Sequence, residues 1–279
     1  MLRDGRRLGY AEYGKQDGRP GFYFHGHPGC RLEPRFADAD AAGAGIRVIA
    51  LDRPGCGLSD FQPGRTLLDW PRDVRDVADE LGLDRFSVLG VSGGGPYALA
   101  CAHELPDRVA GVGVVSGVAP YDAPGATEGM RRRNRVGFKL GARVPPLARF
   151  AMWSMRRQVR RDPDRVLDAL EQALPPSDAE VVRRPGVRRL MAEVFAEAFR
   201  QGSRGPAWDL VVLARPWPIR VDRIEPSVHL WQGEDDPLVP PTMGRYLARK
   251  LPSCDATFLP GEGHLLVFDH LAEILDVFA

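Results

Sequence analysis

Short apolar runs bounded by turn residues recur along this chain with helical patterns between them, and that alternation constrains the fold more than any other feature. It predicts an α/β protein with a mostly parallel central sheet flanked by helices. Strands are predicted at Leu8–Tyr13, Gly21–His25, Arg47–Leu51, Phe86–Gly90, Ala110–Ser116 and Val228–Gln232, with a weaker one at Ala256–Leu259. Most are compact and rich in Val, Ile, Leu or Phe, as strands buried on both faces should be. From about Asp69 to Leu81, apolar residues recur at three- and four-residue spacing (Trp70, Val74, Val77, Ala78, Leu81), which predicts an amphipathic helix. Further helices are expected from about Pro96 to Glu104 and from about Leu265 to the C-terminus.

Between Ser116 and Val228 the rhythm stops. Residues 121–223 hold no clear β run but several helical stretches, such as Arg165–Leu174 and Leu190–Phe199, and proline pairs at Pro145-Pro146 and Pro175-Pro176. They read as a helical insertion, a cap over the open end of a sheet built from residues 1–120 and 224–279. A length of 279 residues suits one large α/β domain carrying such an insertion. With 44% hydrophobic and 27% charged residues the chain is globular, which excludes disorder and collagen.

The net charge of +1 hides a split. The insertion holds 21 Arg and Lys against 12 Asp and Glu, a balance of +9, and the remainder holds 17 against 25, a balance of −8. That polarity predicts a salt-sensitive attraction between the two parts, which could hold the cap shut or draw acidic substrates beneath it. The run Arg131-Arg132-Arg133-Asn134-Arg135 lacks interleaved aromatics and reads as a solvated face, not a nucleic-acid site. The four cysteines (Cys30, Cys56, Cys101, Cys254) form no C-x-x-C pair and read as small buried hydrophobes in a reducing compartment. The N-terminal Met1 to Arg7 lacks an apolar segment behind its charges, and no apolar stretch is long enough to span a bilayer, so the expectation is a soluble, cytoplasmic protein with no membrane partner. Oligomeric state has no signature.

Gly90-Val91-Ser92-Gly93-Gly94 is a G-x-S-x-G set directly between an apolar strand and a helix. Such a turn strains the serine backbone and pushes its hydroxyl out of the sheet, beside the positive end of the following helix. A serine at its normal pKa is a poor nucleophile, so this reading demands a base and an orienting acid later in the chain. Asp236, in Gly233 to Pro240, and His264, in Gly261 to His264, both follow predicted strands at the sheet edge where open α/β sheets place their sites. They are the natural partners of Ser92.

Five ordered motifs now resemble the α/β-hydrolase fold superfamily: His25-Gly26-His27-Pro28-Gly29, Asp52 to Ser59, Gly90 to Gly94, Gly233 to Pro240, and Gly263-His264. The resemblance covers residues 1–120 and 224–279. Its pattern places the triad acid at Asp236 and leaves Asp235 as a solvated neighbour. It also implies an oxyanion hole made of two backbone N–H groups, one from Gly93 and one after the third strand. Pro28 has no N–H, which leaves His27 as that donor; whether its imidazole also takes part stays open. No cofactor or metal is implied, and the partner is a small-molecule substrate.

Relatives with such motifs include carboxylesterases, carbon–carbon bond hydrolases, haloalkane dehalogenases and epoxide hydrolases. The last two use an Asp as nucleophile, so Ser92 argues against both. Ester hydrolysis through an acyl-enzyme is the first expectation. Carbon–carbon hydrolysis with the same triad, and a ligand receptor with vestigial turnover, are the alternatives. Two decoys are weaker. Gly93 to Ala98 fits a dinucleotide-binding G-x-G-x-x-A, but no acidic residue follows the next strand and Pro96 removes an N–H from the helix start. His25 and His27 lack a third metal ligand at informative spacing. Met152, Trp153, Met155, Trp208 and Trp217 either form a core within the cap or roof an apolar acyl pocket.

Overall fold

The computed structural model describes residues 1–130 and 132–278. Seven strands form one sheet: β1 (Tyr10–Gly14), β2 (Arg19–Phe24), β3 (Ile46–Leu51), β4 (Phe86–Val91), β5 (Val109–Val115), β6 (Val228–Gly233) and β7 (Cys254–Leu259). Their spatial order is β1-β3-β2-β4-β5-β6-β7. β1 runs antiparallel to β3, and the other pairings are parallel. Each strand falls on one of the predicted apolar runs, and β4 is buried along its whole length.

Side chains alternate across the sheet because successive Cβ atoms of a strand point to opposite faces. Phe22 and Phe24 of β2 therefore join one core layer with Ile49, Leu51, Val88 and Val112, packed under α2 (Trp70–Glu80), α3 (Gly95–Glu104) and α10 (Pro241–Lys250). Tyr23 joins the opposite layer with Val48, Ala50, Leu89 and Trp231, covered by α1 (Asp38–Gly43) and the C-terminal segment. Each fully buried Leu, Ile, Val or Phe contributes roughly 1.5–3 kcal/mol relative to exposure. The C-terminal segment is not the single helix expected from Leu265. It is a 3-10 turn at Leu266–Phe268, a short α11 (Leu271–Leu275) and a second 3-10 turn at Asp276–Phe278. Leu266, Val267, Ile274, Leu275, Val277 and Phe278 are all buried. In one regular helix they would spread around roughly half its circumference, wider than a single core-facing stripe.

Between β5 and β6 lie α4 (Arg132–Arg143), α5 (Pro145–Arg161), α6 (Pro163–Glu171), α7 (Pro176–Arg183), α8 (Pro185–Ala198) and α9 (Arg204–Ala214). Proline opens α5, α6, α7 and α8, where its missing N–H costs nothing and its fixed φ suits the first turn. Of the basic run, Arg131 and the side chains of Arg132, Arg133 and Asn134 lie outside the described residues. Trp208 and Trp217 pack on the main core, Trp153 is 46% exposed, and of the five candidate roof residues Met155 reaches the cavity described below.

Ion pairs across the boundary run mostly against the overall charge split. Glu197 and Glu193 of α8 meet Arg31 and Arg35, and Asp209 of α9 meets Arg53 and Arg65. Arg184–Asp269 has the opposite sense. Cys30, Cys56 and Cys101 are buried and Cys254 is half-buried. Among the described residues no helix is long and apolar enough to cross a membrane.

Candidate active site

Ser92 follows β4 at the turn into α3 with φ of 53°, the left-handed region that β-carbon-bearing residues rarely occupy. The chain can make this turn because positions 90 and 94 are glycine. A Cβ at Gly90 would run into the Gly94 carbonyl, and one at Gly94 into the Phe24 carbonyl of β2. The geometry leaves the Ser92 hydroxyl proud of the sheet, as the motif predicts.

His264 Nε2 lies 3.0 Å from Ser92 Oγ, and His264 Nδ1 lies 2.7 Å from Asp236 Oδ2. The other oxygen of Asp236 accepts from the amides of Leu238 and Val239 at 2.8 and 2.9 Å, which fixes the carboxylate. Asp236 is buried, whereas Asp235 is exposed. The three side chains named from the sequence therefore meet, with Asp236 and not Asp235 as the third. Burial works to strip the proton from His264. The Asp236 carboxylate, with Asp178 and Glu33, outweighs burial and raises its pKa above 6.5.

Gly93 and His27 are neighbours: a Cβ at Gly93 would sit 2.9 Å from His27 Cβ and 3.5 Å from His27 N. The loop carrying His27 is held from below. Arg53, fully buried, donates to the carbonyls of His25 and Gly26. Glu33 accepts from the Gly26 amide at 2.9 Å and from Tyr23 Oη at 2.8 Å. Burial pushes the Glu33 carboxyl up more than these donors bring it down. Both ring nitrogens of His25 are engaged by backbone, Nδ1 with the Gly26 carbonyl at 2.8 Å and Nε2 with the Arg53 amide at 3.2 Å, which accounts for that residue without a metal. In the second motif, Asp52 closes its own loop by accepting from the Leu58 and Arg31 amides at 2.8 and 2.7 Å.

Two carboxylates from the helices between β5 and β6 enter the site, and sequence reasoning missed both. Asp178 of α7 accepts from the amides of His264 and Leu265 at 2.7 and 2.8 Å. Burial raises its pKa despite those bonds. Asp209 of α9 accepts from Arg65 at 2.7 Å, from Arg53 at 3.0 Å and from Tyr97 Oη at 2.5 Å, and lies 3.2 Å from His27 Nδ1. Burial alone would raise the Asp209 pKa. Arg53 and Arg65 overcome it and hold the group well below 3.8.

Two cavities of about 240 Å³ meet at Ser92, His27 and His264. The larger-walled one runs under α5, α6 and α8, where Met155, Leu170, Leu190, Met191, Val194 and Phe195 roof it. The other is bounded by Val118, Tyr121, Leu213 and Val239. Among the described residues neither wall contains Arg or Lys.

An open sheet with this strand order, a strained serine at its centre and a histidine and aspartate on the loops after β7 and β6 define an α/β-hydrolase. The sequence profile of the α/β hydrolase family matches residues 20–277, and the chain belongs to that family. Among curated proteins it is 32% identical over 109 residues to a proline iminopeptidase of Neisseria gonorrhoeae, covering 37% of this chain and 34% of that one. It is 34% identical over 130 residues to a haloalkane dehalogenase of Psychrobacter cryohalolentis, covering 45% and 43%. The matches thus span less than half the length of these relatives. A thermophilic esterase from Thermogutta terrifontis superposes with a TM-score of 0.69 at 21% identity, covering 97% of this chain and 91% of the other, a likeness of fold.

Proposed function

We propose that the protein is a serine hydrolase that cleaves a carboxylic ester of a small or medium substrate through an acyl-enzyme, with the helices of residues 121–223 as a cap. The observation that carries this reading is the continuous relay from Ser92 Oγ through the His264 ring to Asp236, at 3.0 and 2.7 Å, opening onto two apolar cavities. His264 takes the Ser92 proton as the hydroxyl attacks the acyl carbon. Asp236 keeps the ring in the required tautomer and stabilises the imidazolium. The Gly93 and His27 amides hold the oxyanion, each worth on the order of 100- to 1,000-fold in turnover. Collapse expels the alcohol with the proton from His264, and a water activated by the same ring releases the acid.

The wall chemistry favours an ester with an apolar acyl chain over the carbon–carbon hydrolysis of a carboxylated ketone, for which the described residues of the cavity walls offer no Arg or Lys. Ser92 also argues against dehalogenase and epoxide hydrolase chemistry, which uses an aspartate there. The test is a series of p-nitrophenyl esters of increasing chain length, with and without a serine-directed phosphonate. Inhibitor-sensitive turnover that Ser92→Ala abolishes is expected. Turnover that survives in pure Ser92→Ala protein overturns the assignment, and tight ligand binding without turnover indicates a receptor.

A further inference from the structure

We propose that the His27 imidazole is a substrate-binding acceptor, which selects esters or lactones bearing an O–H or N–H on the carbon next to the scissile carbonyl. The inference rests on the reaction centre proposed at Ser92, because that centre sets where the carbonyl lies. His27 lines both cavities, and its side chain is 9% exposed. Its Nδ1 faces Asp209, a carboxylate locked by Arg53, Arg65 and Tyr97. A carboxylate only accepts, so Nδ1 carries a proton, and a ring with that one proton has its lone pair on Nε2.

That Nε2, on the side of the ring away from Asp209, is buried and has no hydrogen-bond partner among the described residues. Buried polar atoms are rarely left unpaired, and each exception calls for a reason. The other polar side chains that line the same cavity are occupied: Ser92 with His264, Tyr23 with Glu33, and Glu33 with the Gly26 amide. The backbone of His27 stands beside Gly93, and His27 and Ser92 line the same two cavities, which places the ring on the path of an acyl chain attached to Ser92. A donor on the α-carbon, a hydroxyl or an amide N–H, meets the lone pair there. A plain acyl chain leaves it bare.

Calorimetric titration of the Ser92→Ala protein with matched benzyl esters of 2-hydroxyhexanoic and 2-methylhexanoic acid, each enantiomer separately, tests this without turnover. One hydroxy enantiomer is expected to bind about tenfold or more tighter than its methyl isostere, the scale of one buried hydrogen bond. The ratio should collapse toward one in Ser92→Ala/His27→Phe. Equal affinities, or a preference that survives His27→Phe or His27→Leu, overturn the proposal. Nitrogen-15 NMR of the unsubstituted protein gives a second readout. His27 should be the Nδ1–H tautomer with an Nε2 resonance that moves on adding the hydroxy ester, and an Nε2–H tautomer overturns the assignment. Failure of the esterase reading shows itself separately, as wild-type protein that cleaves neither ester.

Discussion

Asp178 on α7 receives the backbone amide of His264 at 2.7 Å, so a helix between β5 and β6 holds the segment that presents the imidazole to Ser92. The same carboxylate takes the Leu265 amide, and a Cβ on Gly263 would collide with it. Asp178→Ala leaves two buried N–H groups unpaired, at about 1–3 kcal/mol each. The expected result is a roughly 10- to 100-fold fall in kcat, the scale that a misplacement of about 1 Å produces, with KM little changed. Steady-state kinetics on a short ester, with a melting curve to confirm folding, check it.

Asp235 and Asp236 are adjacent in sequence and opposite in situation. Asp236→Asn disturbs the His264 tautomer and should lower kcat by about 10⁴-fold. Asp235→Asn, on an exposed side chain, should leave kcat within about twofold, as surface substitutions away from such features do. Parallel kinetics on the two variants separate them, and the reverse ranking would falsify the triad.

The raised pKa of His264 sets the acid limb of the pH profile. Only the neutral imidazole can accept the Ser92 proton, and a raised pKa keeps the ring protonated to higher pH. The midpoint of kcat/KM should therefore lie above 6.5, with activity lost as pH falls through it. Asp178→Asn removes one of the carboxylates that hold the proton, so its midpoint should move down. A profile of kcat/KM against pH for both proteins reads the two positions.

The local parts of this site were legible in the sequence and the distant parts were not. Gly90 to Gly94, Asp236 and His264 each sit in a short motif at a strand end, so pattern and strand placement sufficed. Asp178 and Asp209 act on residues 86 and 182 positions away, His264 and His27 respectively, and lie in helices, PSDAEVVR and RGPAWDLVVLA, that carry no motif pointing to them. The strands emerged because burial on both faces leaves compact apolar runs. α1, with the sequence DADAAG, escaped because its six residues show no apolar period, whereas α10 was missed although Met243, Tyr246 and Leu247 stand at helical spacing. The motif residues Arg53 and Asp52 were visible by resemblance, but their work in holding loops required the partners.

Asp209 lies between two buried guanidiniums, and removing it leaves Arg53 and Arg65 charged in a dry site. Breaking a buried pair from one side costs about 3–5 kcal/mol, because the remaining charge is uncompensated. Asp209→Ala should lower stability by at least that amount in urea denaturation. An effect below about 1 kcal/mol, the range of exposed ion pairs, would show that the cluster is not dry.

The charge split between the helices of residues 121–223 and the rest of the chain makes a final, sharper test. Arg149, Arg157, Arg160 and Arg161 of α5 are exposed, while the described residues of the cavity walls include no Arg or Lys and the pairs across the boundary mostly join acids of the helices to arginines of the core. Exposed charges separated from a bound substrate by more than about 10 Å are screened at ordinary ionic strength. The ratio of kcat/KM for a neutral ester to that for an equal-length half-ester with a free carboxylate should then stay constant from about 0.1 M salt upward. A half-ester preference that fades as salt is added would mean that the arginine-rich face steers acidic substrates to Ser92.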